Sequence, residues 1–225
     1  MIVMRTLYHL WLSPQCRKVR ILLQEKRLPV HLEVEPIWER RTAFLALNPA
    51  GDLPVLVEPE GQTIADHGAI CEYLDEAYPE PTLIGADPFS RAEARRLAAW
   101  FDTKFDHEVS RPLVAEKVMK RVLNQGEPDS RAIRAAAINL GTHLDYLTWL
   151  VDRRKWLAGD AYSLADIAAG AHLSAVDYCG DVPWSDYPQV KDWYVRLKSR
   201  PSFRPILSDH IPGAAPPRHY ADLDF

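Results

Sequence analysis

The chain has 225 residues, 47% of them hydrophobic and 26% charged, which is enough to bury a substantial core in one or two domains. Its 31 acidic and 27 basic side chains leave a formal charge of -4, which points to neither nucleic acid nor an anionic membrane as the main partner. Cys16, Cys71 and Cys179 show no paired spacing, and no apolar run reaches the roughly 18 residues that span a bilayer, so a soluble protein of a reducing cytoplasm is expected, without direct membrane insertion.

Residues 3–10 read as a short strand carrying Leu7, Tyr8 and Leu10. Ser13-Pro14 predicts a helix start, because serine caps and proline suits the first helical position, where its missing N–H costs nothing. Val19, Leu22 and Leu23 share one face of that helix, and Arg17, Lys18, Arg20 and Gln24 fall largely on the other. Pro29 stops it near Arg27. Residues 30–35 alternate as a half-buried strand, and the segment 37–47, which holds Trp38, is weakly helical. A turn at 48–51 leads to a strand over 53–57, a second turn to a return strand over 62–65, and a helix covers 67–77. The order is βαβ, then a ββ hairpin, then α.

The proline-rich stretch 79–90 reads as a connection between two domains. Residues 1–79 then form the first domain, 80–90 the linker and 91–208 a helical second domain. Its helices are expected near 91–110, 112–125, 129–153, 163–179 and 187–198, with Pro112 kinking or separating the first two. Ser163 with Asp166 three residues on is a capping box, an architectural feature rather than a chemical one. Residues 209–225 carry prolines and no helical period, and read as an extended tail.

Four motifs in order resemble the glutathione-transferase superfamily over nearly the whole chain: Ser13 to Arg20, Asn48 to Leu56, Ile64 to Leu74, and Leu157 to Asp160 followed by Ser163 to Ile167. The resemblance implies a thioredoxin-like α/β N-terminal domain and an all-α C-terminal domain. It also implies a site. Ser13 stands where the family's catalytic serine would stabilise a glutathione thiolate at the start of helix 1, and Cys16, one turn on, would serve mixed-disulfide chemistry. Tyr8 and His9 are further candidate donors. Against these roles stand plain ones, a helix cap for Ser13 and a small buried filler for Cys16. Pro54 matches the family's cis-proline, which would offer the backbone of Leu53 to an extended ligand. Active members carry Glu or Gln followed by Ser to grip the glutamyl end of glutathione, whereas this chain has Asp66 followed by His67. The aspartate is one methylene shorter, and the imidazole is expected to crowd the carboxylate, so glutathione binding is put in doubt and a vestigial site is expected.

Trp38 and the tail remain outside that scaffold. Trp38 either packs on its own domain or is an exposed interaction anchor, and the tail, which ends in Tyr220, Leu223 and Phe225, docks on its own domain or meets a partner. A tryptophan at this place, the start Ser13 to Arg20 and the ending Tyr220 to Phe225 resemble the alphaproteobacterial division proteins of this fold that bind the tubulin-like FtsZ. That resemblance implies a homodimer recruited to the division site, acting without glutathione, with Trp38 and Asp222 facing FtsZ and Arg91, Arg95 and Arg96 near the dimer seam. The alternative is an active glutathione S-transferase or thiol-transferase. The scattered His9, His31, His67, His107 and His143 show no metal-ligand spacing.

Overall fold

The computed structural model describes residues 4–223; Val3 of the expected first strand, and Asp224 and Phe225 of the tail, lie outside the described residues. Four strands form one sheet in the order β2-β1-β3-β4. β1 (Arg5–His9) runs parallel to β2 (Val30–Val34), and antiparallel to β3 (Val55–Val57), which forms a hairpin with β4 (Thr63–Ala65). Leu7 stands opposite both Leu32 and Leu56, which fixes the centre of the sheet. Tyr8 points the other way, as strand alternation requires, and meets Phe44 of α2 (Thr42–Leu47). A 3-10 turn, Ile37–Glu39, joins β2 to α2.

α1 (Pro14–Glu25) packs on α3 (His67–Ala77) and on the helical half of the chain. A continuous helical rod, α4, covers 88–122. It begins at Pro88, inside the stretch expected to be a connection, because Asp87 and Ser90 close a capping box there. Pro112 does not separate two helices: the rod winds with π pitch over Trp100–Ser110 and Ala115–Met119, and Arg111 N–H donates to the Asp106 carbonyl five residues back. The wider register carries the chain through the proline.

α5 (Ser130–Val151), α6 (Leu164–Tyr178), α7 (Pro188–Lys198) and the short α8 (Arg204–Leu207) complete the helical half. All 15 residues of α6 are buried, so this helix is the hub of the core. Gly170 is needed there, since a Cβ would come within 2.7 Å of Leu197 Cδ1. Its capping box forms as expected: Ser163 Oγ accepts from Ala165 N–H, and the Asp166 carboxylate accepts from Ser163 N–H at 3.1 Å. Asp166 also accepts from Leu157 N–H and Trp193 Nε1–H, each at 3.0 Å, tying two further segments to the cap.

Two expectations change. The basic residues of α1 do not face solvent, because Arg17, Lys18 and Arg20 are all buried and paired with carboxylates from distant segments. The tail is not extended throughout: Ile211 bridges to Ala214, and Arg218–Ala221 forms a 3-10 turn with Tyr220 fully buried.

Candidate functional site

The end of β1, the N-termini of α1 and α3, and the middle of α4 converge on the region where the sequence places its site residues. Ser13 caps α1: its Oγ accepts from Cys16 N–H at 3.3 Å and donates to Gln15 Oε1 at 3.3 Å. The single hydroxyl proton is thus directed to a neighbouring side chain. Cys16 is fully buried, and burial pushes its thiol up to about 11, the opposite of the lowered value that a reactive thiolate needs. Cys71 is likewise buried and raised to about 12. Native protein at pH 7.5 should therefore resist alkylation by iodoacetamide at Cys16 and Cys71, and take up the label only after unfolding; rapid native labelling of Cys16, read by mass spectrometry, would contradict this burial. His9 is also interior, set edge-on against Trp11 at 4.5 Å, and burial together with the Arg20 charge lowers its pKa to about 3. It stands neutral in the core rather than at the mouth of a site.

The Leu53–Pro54 peptide is cis. Asp66, at φ 75, accepts on Oδ1 from Gly68 N–H at 2.7 Å and Ala69 N–H at 2.9 Å, so its carboxylate closes the end of its own helix. The His67 ring turns toward α1. Its Nδ1 lies 2.7 Å from Lys18 Nζ, and burial and the Lys18 charge push its pKa down, so a neutral ring accepts from the ammonium. Lys18, 1% exposed, also donates to Asp102 Oδ2 at 2.5 Å. The other oxygen of Asp102 lies 3.4 Å from His172 Nε2, and His172 Nδ1 meets Ser110 Oγ at 2.8 Å. One buried polar cluster thus ties α1, α3, α4 and α6 together. Burial opposes ionisation of Asp102, but the Lys18 charge and the His172 contact outweigh it and hold the carboxyl well below its usual range. Asp66 Oδ1 and His67 Nδ1, at the corner where a vestigial glutamyl site was expected, both have partners within the protein.

Trp38 lies apart from this cluster. It is carried on the 3-10 turn Ile37–Glu39 with 45% of its surface exposed, so it is not part of the first domain's core. The turn is clasped at its base by the fully buried Glu35, whose two oxygens take Arg41 Nε and Nη2. Arg40 in between adopts the left-handed conformation at φ 48. Asp222 is exposed at the end of the tail turn, and its N–H donates to the His219 carbonyl at 3.1 Å. On the exposed face of α4, Arg95 pairs bidentately with Glu72, and Arg96 with Glu93. Arg91 Nε donates to the Gly85 carbonyl at 3.1 Å. The Lys18–Asp102 pair and the Glu35–Arg41 clasp were not legible as site features. The nearest signal was Ile21, an apolar residue that falls outside the face shared by Val19, Leu22 and Leu23 and among the α1 cations. Among the described residues no group of His, Cys, Asp and Glu is placed to hold a metal ion, and no helix is long and apolar enough to cross a membrane.

Comparison with known proteins agrees with this architecture. The glutathione S-transferase N-terminal domain matches residues 7–82 and the C-terminal domain residues 114–201. The chain is 53% identical to FtsZ-localized protein A of Caulobacter vibrioides over 229 residues, covering the whole of both chains. The structure of FzlA from C. crescentus superposes with a TM-score of 0.96 at 52% identity, covering 99% of this chain and all of that one. A glutathione S-transferase from Rhodospirillum rubrum F11 superposes equally well, with a TM-score of 0.96, 59% identity and the same coverage. With a mixed four-stranded sheet, a helical second half and full-length relatives above half identity, the chain belongs to the glutathione S-transferase family.

Proposed function

We propose that this protein acts in bacterial cell division by binding FtsZ filaments, as a cytoplasmic homodimer recruited to the division site and without dependence on glutathione. The observation that carries the reading is the state of the glutamyl corner: Asp66 Oδ1 caps its own helix N-terminus and His67 meets Lys18, while Trp38 stands exposed on the N-terminal half. A ligand carboxylate or ammonium arriving there meets groups that already have partners, and displacing them forfeits their hydrogen bonds. The full-length likeness to a protein named for its localisation with FtsZ supports the same reading. Homodimer formation is supported by the apolar side chains that α4 and α5 leave exposed, Phe89 at 83% and Ile138 at 71%.

Co-sedimentation of the purified protein with FtsZ polymers tests the proposal, and a wild-type protein left in the supernatant would sink it. The second reading, an active transferase, is favoured by the Ser13 position at the start of α1 and by the likeness to a relative described as a glutathione S-transferase. A ligand present at 100 times its dissociation constant adds about 2.7 kcal/mol of stability. Excess glutathione should leave the melting temperature of this protein unmoved; a clear upward shift would favour the enzyme.

A further inference from the structure

The connection from α1 to β2, residues 26–29, and the connection from α7 to α8, residues 199–203, border one open cleft of about 760 Å³ at the seam between the two halves of the chain. Its size falls within the roughly 300–1,000 Å³ of small-molecule sites, and none of its lining residues belongs to the site described above. Arg200 lines it and is held from two directions. Its Nε and Nη2 donate to Glu25 Oε1 at 2.6 Å and Oε2 at 2.8 Å, and its guanidinium lies 3.8 Å from the centre of the Tyr162 ring. Ser202 Oγ also donates to Glu25 Oε1. Among the described residues Glu25 is the one carboxylate lining the cleft, so both of its oxygens are taken, while Arg200 Nη1 has no acceptor. On the other connection Arg27 closes α1 in the left-handed conformation, at φ 53, and its exposed guanidinium has no partner among the described residues. The carbonyls nearest to it do not serve as acceptors, because Leu22, Leu23 and Gln24 already take the N–H groups of Lys26, Leu28 and Arg27. The lining therefore has donors to spare and its carboxylate spent, which is the complement of an acceptor-rich anion.

We propose that this cleft binds a small metabolite by an oxyanion head, a carboxylate or a phosphate, held between Arg200 Nη1 and the Arg27 guanidinium. A guanidinium presents a planar fork that suits either head. The Glu25 pair and the Tyr162 ring fix that fork at Arg200 before a ligand arrives, so little side-chain freedom is lost there on binding. The two arginines come from different halves of the chain, and a bound anion joins them across the seam. This site is independent of the FtsZ reading.

Titration of the full-length protein with sodium citrate and, separately, with inorganic phosphate tests the proposal, with sodium chloride at matched ionic strength as the control for screening. At least one of the two anions should raise the melting temperature saturably where chloride does not, and should slow amide hydrogen exchange over residues 26–29 and 199–203. A response to citrate alone assigns a carboxylate head, and a response to phosphate alone a phosphate head. Arg27→Asn should weaken that binding by about tenfold, the scale of one hydrogen bond to a charged group. Because asparagine tolerates the left-handed backbone, the ligand-free variant should melt at the wild-type temperature. Arg200→Lys keeps a cation beside Glu25 but loses the planar fork, and a loss of similar size is expected from it. Saturation by neither anion would overturn the site. So would protection confined to other segments, or wild-type affinity in both variants.

Discussion

Trp38→Ala should weaken binding to FtsZ polymers by at least about tenfold while leaving the melting temperature nearly unchanged. Interface tryptophans of this kind are typically worth about 2 kcal/mol or more, because a large rigid ring is buried at low conformational cost. The ring is already positioned in the free protein: Pro36 precedes its 3-10 turn, Arg40 closes it in the left-handed conformation, and the Glu35–Arg41 pair clasps the base. With 45% of its surface exposed, Trp38 contributes less to the core than a buried aromatic does. Exposed positions away from special features usually change stability by about 0.5 kcal/mol or less. Binding and folding should therefore separate, and co-sedimentation run beside a thermal melt checks both. Full binding by the alanine variant would move the FtsZ-facing surface away from this turn.

Lys18→Met should be the more damaging change to the fold. It removes the ammonium from a cluster that joins four helices and leaves the Asp102 carboxylate buried without its main partner. Breaking one side of a buried ion pair costs about 3–5 kcal/mol. For a chain of this size that corresponds to roughly 6–20 °C in melting temperature. Adding Asp102→Asn should recover part of the loss, since the uncompensated charge then disappears. The pH dependence has a definite sign. In the native protein Asp102 is held ionised below its ordinary value of 3.8, so it contributes stability at neutral pH that is lost as pH falls below about 4. Without Lys18, burial is opposed only by the His172 and His67 contacts, so the carboxyl is held less strongly ionised and the stability gap between variant and wild type should narrow as the solution is acidified from neutral. Equal stability of wild type and Lys18→Met at pH 7 would remove the cluster from any structural role.

The same cluster bears on the choice between catalysis and binding. A transferase needs a donor free to meet a thiolate and a polar corner free to meet a glutamyl group. Here the Ser13 proton goes to Gln15, Cys16 is sealed, and Asp66 and His67 bond within the protein. Each of these four side chains is thus engaged or enclosed within the fold.

How much of this was written in the sequence follows from the range of the forces involved. Local signals were sufficient for the strands around Leu7, Val30 and Val55, the Ser13-Pro14 helix start and the Ser163–Asp166 cap, because caps, proline geometry and period-two alternation act within a few residues. The order of those motifs was also sufficient for the family. The start of α4 at Pro88 was obscured by the prolines around it, and its passage through Pro112 depends on a π register that no short motif announces. The fate of the charges was beyond local reading altogether. Lys18 meets Asp102, 84 positions away, and Arg20 meets Asp209, 189 positions away, so whether a cation on α1 faces water or a carboxylate is decided only when the helical half packs against it. His67 shows the same limit: its identity marks a departure from the family pattern, but only the buried ammonium beneath it determines that the ring turns inward.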